Sequence, residues 1–398
     1  MHIVLYDNPE QRVNLYPLSL TRPIGDFRVG TLTIAEKWTR WMNVSVSYLS
    51  ADYLQLKYPL SITVGDVLII NGGICPDATL CAALDGLKVG EKLIENKQFI
   101  AAKTDIRALA EACANDFAAY KPVVYRQAYT AIRYPEDIFL QNGAEIIKDF
   151  NLLTKGRTSA NISSTVKLLG DAIFLEEGAS AECCTINTLK GPVYIGRNSE
   201  IWEGALIRGP FSLGENSQVK LGTKIYSNVT VGPGCRVGGE LNTCLIWGNS
   251  SKGHEGYFGS GVMGEWCNWG ADTNNSNLKN NYKNVKLYHY GTDAYRNTGL
   301  QFCGLIMADH AKCAINTAFN TGTVVGVAAS IFGGEVPPTF VPDFSWGVGE
   351  NAGVYELEKM FETAELVFAR RNCKFDPIEA SILRKVFEIT IKQRNNKI

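Results

Sequence analysis

The chain has 398 residues, more than one ordinary hydrophobic core organises, which predicts at least two domains. Its 39 Lys and Arg are balanced by 40 Asp and Glu, so no basic field points to nucleic acid, and any polyphosphate must be held by a local constellation. With 45% hydrophobic residues and a mean hydropathy of −0.06, the composition is that of a soluble globular protein, and no apolar run approaches the roughly 18 residues of a membrane span.

The chain opens Met1-His2-Ile3-Val4-Leu5-Tyr6-Asp7, without a basic segment or an apolar stretch behind it, and no signal peptide is expected. Eleven cysteines include no Cys-x-x-Cys pair, which predicts reduced thiols in the cytoplasm rather than a zinc ribbon or a redox motif. Histidine occurs only at 2, 254, 289 and 310.

The first part reads as α/β. Ile3-Val4-Leu5-Tyr6 is a short apolar strand, Leu32 to Trp41 has the spacing of a helix, and Val67-Leu68-Ile69-Ile70 is a buried strand stopped by Asn71-Gly72-Gly73. Asp105 to Ala114 and Ile138 to Leu153 read as helices, the second as a connector. Alternating strands and helices predict a parallel or mixed sheet over residues 1–155.

Beyond about residue 160 a six-residue period appears. Ile195, Ile201, Ile207, Leu213, Val219, Ile225, Val231 and Val237 recur without a miss, which chance would give at on the order of 10⁻⁵ if a quarter of residues are aliphatic. A shorter match precedes it at Leu169, Leu175 and Ala181. The period returns at Met263 and Trp269, then at Met307, Cys313, Phe319, Val325 and Ile331. Hexads of this kind predict a left-handed parallel β-helix over residues 156–350, with aliphatics inside a triangular core and Gly or Asn at its corners. Residues 351–398 read as helices capping the solenoid: Leu357, Met360, Phe361, Ala364 and Phe368 share a face, and Asp376-Pro377-Ile378-Glu379 is a helix start.

Between Val237 and Met307 the period breaks twice, which predicts two insertions, Ser251 to Gly259 and Asn274 to Lys283, and loops leaving a rigid scaffold are where function is usually placed. Here the chain contains Gly253-His254, Tyr257 and Gly259; Asn268, Gly270-Ala271 and Thr273; Asn277; and Lys283. This stretch resembles the acetyltransferase domain of the bifunctional UDP-N-acetylglucosamine pyrophosphorylase/glucosamine-1-phosphate N-acetyltransferase family, whose pattern is Gly-His-x-x-Tyr-x-Gly, Asn-x-Gly-Ala-x-Thr, Asn and Lys. The resemblance implies that His254 is the general base taking a proton from a sugar amine as it attacks acetyl-CoA. It also implies that Asn268 and Asn277 hold the sugar and its amine, that Tyr257 and Lys283 hold its phosphate, and that Ala271 lies on the acetyl-CoA side. Arg208 is a possible match to a phosphate-clamp arginine on an earlier coil. His310, beside Asp309 in a hexad, is the reserve base, since other hexapeptide acyltransferases use a histidine at a coil edge. A γ-class carbonic anhydrase needs a three-histidine zinc site, and four histidines with no close pair do not provide one.

At the N-terminus, Leu15 to Pro23 followed by Arg28-Val29-Gly30 resembles the opening of sugar nucleotidyltransferases, without their phosphate-wrapping glycines and with Asn71-Gly72-Gly73 where their metal-binding Asp stands. Arg12, Arg22, Arg28 and Lys37 are the basic residues expected near a triphosphate. The resemblance implies a bifunctional enzyme of amino-sugar activation: acetyl transfer from acetyl-CoA to glucosamine-1-phosphate, then uridylyl transfer from UTP with Mg²⁺, in a homotrimer. Two alternatives remain open: a glucose-1-phosphate thymidylyltransferase-like enzyme whose β-helix only assembles the oligomer, and a non-catalytic trimeric scaffold that binds sugar nucleotides.

Overall fold

The computed structural model describes residues 2–62, 65–350 and 352–397. Its contacts divide the chain into two units, one of residues 1–15, 21–27 and 32–133, the other of residues 16–20, 28–31 and 134–398. By contacts, the helix Pro135–Thr154 and the C-terminal helices group with the second unit.

The first unit is built on six strands in the order Val46–Leu49, His2–Tyr6, Asp66–Asn71, Gln98–Asp105, Glu91–Glu95 and Lys121–Val124. His2–Tyr6 runs parallel to both its neighbours, and Gln98–Asp105 runs antiparallel to Asp66–Asn71, so the sheet is mixed as expected. Val67 to Ile70 are all buried, the signature of an interior strand covered on both faces. The predicted helix at Leu32 starts at Ile34 because Thr33 and Glu36 close a capping box, and it ends where Asn43 turns left-handed. Between Asp105 and Ala114 a 3₁₀ turn, Ile106–Ala108, precedes a short α-helix, Leu109–Ala114.

In the second unit the hexads form a parallel β-helix. Strands pair with the strand one coil on, as Ile201 with Val219 and Val219 with Val237, and every aliphatic of the eight-fold run is buried. The corners follow from backbone sterics: Asn198, Gly204, Asn216, Gly222, Asn228 and Gly234 are left-handed, the conformation that Gly adopts freely and Asn tolerates. At the earliest coil Leu168, not Leu169, is the residue in register with Ile186.

The helix Pro135–Thr154 lies against this solenoid. A Cβ at Gly143 would stand 2.1 Å from Asn228 Oδ1, which explains a glycine inside a helix. Asn142 donates to Asn228 O at 2.9 Å and accepts from Thr230 Oγ1 at 3.0 Å and from Gly30 N at 2.8 Å. The C-terminal helices Leu357–Ala369 and Pro377–Ile389 do more than cap an end: Phe387 meets Phe344 of the last coils, and Phe368 stacks 3.7 Å from Trp266, several coils back. Among the described residues no helix is long and apolar enough to cross a membrane.

The two breaks in the period have different causes. The first is no insertion. Ser251–Lys252 stays in register with Arg236–Val237, but the coil is three residues short: two are lost at the corner between Val237 and Leu241, and one where the strand Glu240–Gly248 bends round the next corner without a turn. Asn274–Asn275 is also a solenoid strand, paired with Ala318–Phe319. The chain leaves the solenoid only after it and returns at Ile306–Met307, carrying the antiparallel hairpin Lys286–His289 and Ala294–Asn297 between.

Candidate functional site

His254 stands exposed at the corner between the strands Ser251–Lys252 and Tyr257–Glu265. The next coil runs beneath this corner, since Ser251 pairs with Asn268 and Asp272 N donates to Glu255 O at 3.1 Å; that register brings Ala271 alongside His254. Tyr257 N donates to Asn274 Oδ1 at 2.7 Å and Gly259 N to Asn275 Oδ1 at 2.9 Å, so two asparagines of the following coil hold the strand that leaves the corner. Asn275 points inward beside Phe319, and its amide is satisfied by Gly259 O at 3.0 Å.

Asn277, the first turn of the excursion, reaches back: Nδ2 donates to Tyr257 Oη at 3.0 Å and to Ser260 Oγ at 3.1 Å. Burial raises the Tyr257 phenol above its usual pKa, so the hydroxyl keeps its proton and can donate to a ligand oxygen. Lys224 lies two strands away on the same outward column, through Glu240, and its ammonium is 3.3 Å from Glu255 Oε2. Imidazole, phenol, amide and ammonium thus line one side of the solenoid, a set suited to proton transfer from, and hydrogen bonding to, a polar ligand.

Other expected members lie further off. Asn268 is exposed on the strand paired with Ser251 and Lys312, on the face next to that of Tyr257. Ala271 is half-buried and its carbonyl accepts from Asn316 N at 2.8 Å. Lys283 is exposed on the excursion, and among the described residues its ammonium makes no hydrogen bond. Arg208 is exposed on Leu206–Arg208, whose ladder reaches Tyr257–Glu265 only through two intervening strands; at about 4.8 Å per strand it stands roughly 14 Å from the site in its own chain. His310 is not on an open edge. It is 5% exposed, with its ring parallel to Phe368 at 6.0 Å.

Sequence reasoning missed Lys224, Ser260, Asn275 and Lys252. Lys224 and Ser260 carry no motif of their own. Lys252 and Asn275 become visible as core positions only once the short coil is recognised.

In the first unit the basic residues face inward. Arg12 donates to Asp7 Oδ2 at 3.0 Å, Arg22 O at 3.2 Å, Ser50 Oγ at 3.1 Å and Tyr53 Oη at 2.8 Å. Burial raises the Asp7 pKa against the pull of Arg12 and of hydrogen bonds from Ser50 and Ile24 N. Arg22 pairs with Asp26 at 3.1 Å and Lys37 is 1% exposed, whereas Arg28 belongs to the second unit, is half-buried and donates to Thr31 O. This network sits where the parallel strands His2–Tyr6 and Val46–Leu49 end, the edge at which open α/β sheets bind ligands. Among the described residues no three His, Cys, Asp or Glu converge, and the Asp7 oxygens are already engaged, so these side chains do not form a magnesium site by themselves.

Residues 3–158 match the family model of sugar nucleotidyl transferases. Over 87 residues, 22% of this chain, the sequence is 32% identical to the bifunctional protein GlmU of Methanocaldococcus jannaschii, and the chain spans about a fifth (21%) of that protein's length. Similar solved structures include a hexapeptide transferase family protein from Anaplasma phagocytophilum (15% identity, 60% of this chain and 92% of that one, TM-score 0.22). Another is the Arabidopsis UDP-N-acetylglucosamine acyltransferase (15% identity, 54% and 78%, TM-score 0.22). Residues 3–158 thus match the sugar nucleotidyl transferase family, and a parallel β-helix of six-residue repeats follows them in the chain.

Proposed function

We propose that the β-helix transfers an acetyl group from acetyl-CoA to the amine of glucosamine-1-phosphate, in a cytoplasmic homotrimer. The observation that carries this reading is an exposed His254 one short turn from the Tyr257–Asn277 pair, with Lys224 beside it. His254 removes a proton from the amine as its nitrogen attacks the thioester carbonyl. The C–N bond forms, the C–S bond breaks, and coenzyme A leaves as the thiol once its sulfur takes up a proton. Asn277 and Asn268 orient the sugar, Tyr257, Lys224 and Lys283 meet its phosphate, and Ala271 borders the acyl donor. Positioning supplies much of the rate, because a neutral imidazole alone is a modest catalyst. Arg208 joins the phosphate contacts only if a neighbouring copy supplies it.

On this reading the first unit transfers a uridylyl group from UTP to the phosphate of the acetylated product, breaking the α–β phosphoanhydride bond and releasing pyrophosphate, with Mg²⁺ as the ion that would neutralise the triphosphate. Arg12 and Arg22 must then release part of their internal network to meet phosphate, while Arg28 and Lys37 lie outside it. The Asp7–Arg12 pair equally favours a second reading for this unit, a sugar-nucleotide binder without turnover.

The deciding experiment is incubation with acetyl-CoA and glucosamine-1-phosphate while free thiol is followed. Thiol release that needs both substrates supports the reading. No release with this or any other amino-sugar phosphate removes it.

A further inference from the structure

The inward positions along one face of the solenoid run Ala181, Ile201, Val219, Val237, Lys252, Trp269, Cys313 and Ile331. A lysine therefore occupies a slot that the other coils fill with an aliphatic, aromatic or cysteine side chain, and it is 2% exposed. Burying an ammonium in such a stack costs stability that a methionine of similar length would not, and solenoid packing offers no reason to keep it.

What the ammonium touches suggests the reason. Lys252 Nζ donates to Gly238 O at 2.9 Å and to His254 O at 3.0 Å, and lies 5.9 Å from the centroid of the Trp269 ring. Around it the backbone ladder is interrupted. Gly238 N bonds Lys252 O, and Glu240 N bonds Gly256 O, but among the described residues the hydrogen bond from Lys252 is the one that reaches the peptide groups of His254. The corner contains Gly253 and Gly256, the second at φ +116°, so it has little stiffness of its own. With Glu255 O held by Asp272 N and Gly256 O by Glu240 N, a side chain inside the core thus holds the His254 peptide, which those ladder bonds pass by.

We propose that Lys252 is a positioning residue for His254: anchored on Gly238 of the preceding coil, its amine holds the His254 carbonyl and so sets the place of the imidazole. The proposal rests on the acyl-transfer reading for its consequence in catalysis, though not for the anchoring itself. Two carbonyl acceptors need two N–H groups, which both the ammonium and the neutral amine possess, so the clasp persists in either protonation state.

The test compares full-length wild type with Lys252→Met by steady-state kinetics, thermal unfolding and amide hydrogen exchange. Expected are a kcat lower by about 10- to 100-fold with both KM values nearly unchanged, an unfolding temperature no lower than wild type, and faster exchange confined to residues 253–256. Unchanged kcat in an active wild type overturns the proposal. So does a lowered unfolding temperature with exchange raised throughout the solenoid, which would make Lys252 a structural residue. If wild type transfers no acyl group, the reading of the site falls by itself; local acceleration at 253–256 then still supports the anchoring, and unchanged exchange there overturns it.

Discussion

The Asn277 amide bonds the Tyr257 phenol at 3.0 Å, tying the start of the excursion to the strand that leaves the His254 corner. The same amide bonds Ser260 at 3.1 Å, so two hydroxyls share one donor group. Tyr257→Phe should keep the ring in place and leave the Asn277 amide bonded to Ser260, whereas Asn277→Ala removes the bonds to both hydroxyls and leaves Tyr257 its hydrogen bond with Asn242. Each variant should raise KM for the sugar phosphate several-fold. A double-mutant cycle in KM should show a coupling of about 1 kcal/mol, since each single change already breaks the shared bond. Additive effects would mean that the two residues act on the ligand independently.

The solenoid was legible because its period is strict and local: one buried side chain every six residues, with small or αL-tolerant residues at the corners, needs no long-range information. The candidate site was legible through residue types at matching separations. What sequence could not reveal is how the coils stack. Leu169 fits the period by number, yet Leu168 holds the inward register. A coil shortened by three residues looks in sequence like an insertion, and so hides that Lys252 points inward. Arg208 shows the same limit, for its distance from Tyr257 depends on the number of coils between them. The inward turn of Arg12 and Arg22 was equally invisible, because a basic residue that binds phosphate and one that pairs with a buried Asp look alike in sequence.

His254 and the two lysines should separate kinetically. His254→Ala is expected to leave acetyl-CoA binding intact and to cut kcat by roughly 10²- to 10⁴-fold. Lys224→Ala and Lys283→Ala should instead raise KM for the sugar phosphate at nearly constant kcat, because a phosphate contact binds ground and transition states alike. Near-normal turnover in His254→Ala would remove that residue as the base.

Arg296 on the excursion hairpin grips Glu136 at the start of the connecting helix through both carboxylate oxygens, at 2.6 and 2.7 Å, with the guanidinium 3.9 Å from the Tyr134 ring centroid. Burial pushes the Glu136 pKa up, and the arginine acts against that push. Arg296→Ala leaves a buried carboxylate without its partner and should destabilise the protein by about 3 kcal/mol in urea unfolding. Adding Glu136→Gln should recover a large part of that loss, because the uncompensated charge disappears with it. If the double variant is as unstable as the single, packing of the arginine on Tyr134, rather than charge, holds the hairpin.

Lys252 gives a pH test whose sign is opposite to that of a paired surface lysine. Burial pushes its pKa down to about 8 from an ordinary 10.5, so the folded state resists the charged form. Above pH 10.5 the amine is neutral whether the chain is folded or not, and it costs nothing extra. As pH falls from 10.5 towards 8 the unfolded chain takes up the proton first, and folded wild type loses stability relative to it; below about 8 both states are charged and the loss is complete. Lys252→Met carries no such group. Its stability advantage over wild type should therefore be widest and flat below pH 8, with a proton-linked part of up to about 3 kcal/mol, and should narrow as pH rises towards 10.5. Urea unfolding of the two proteins at intervals from pH 7 to 10 measures the gap directly. A gap that stays constant over that range would mean that the ammonium is solvated in solution, and that the slot it fills is open to water.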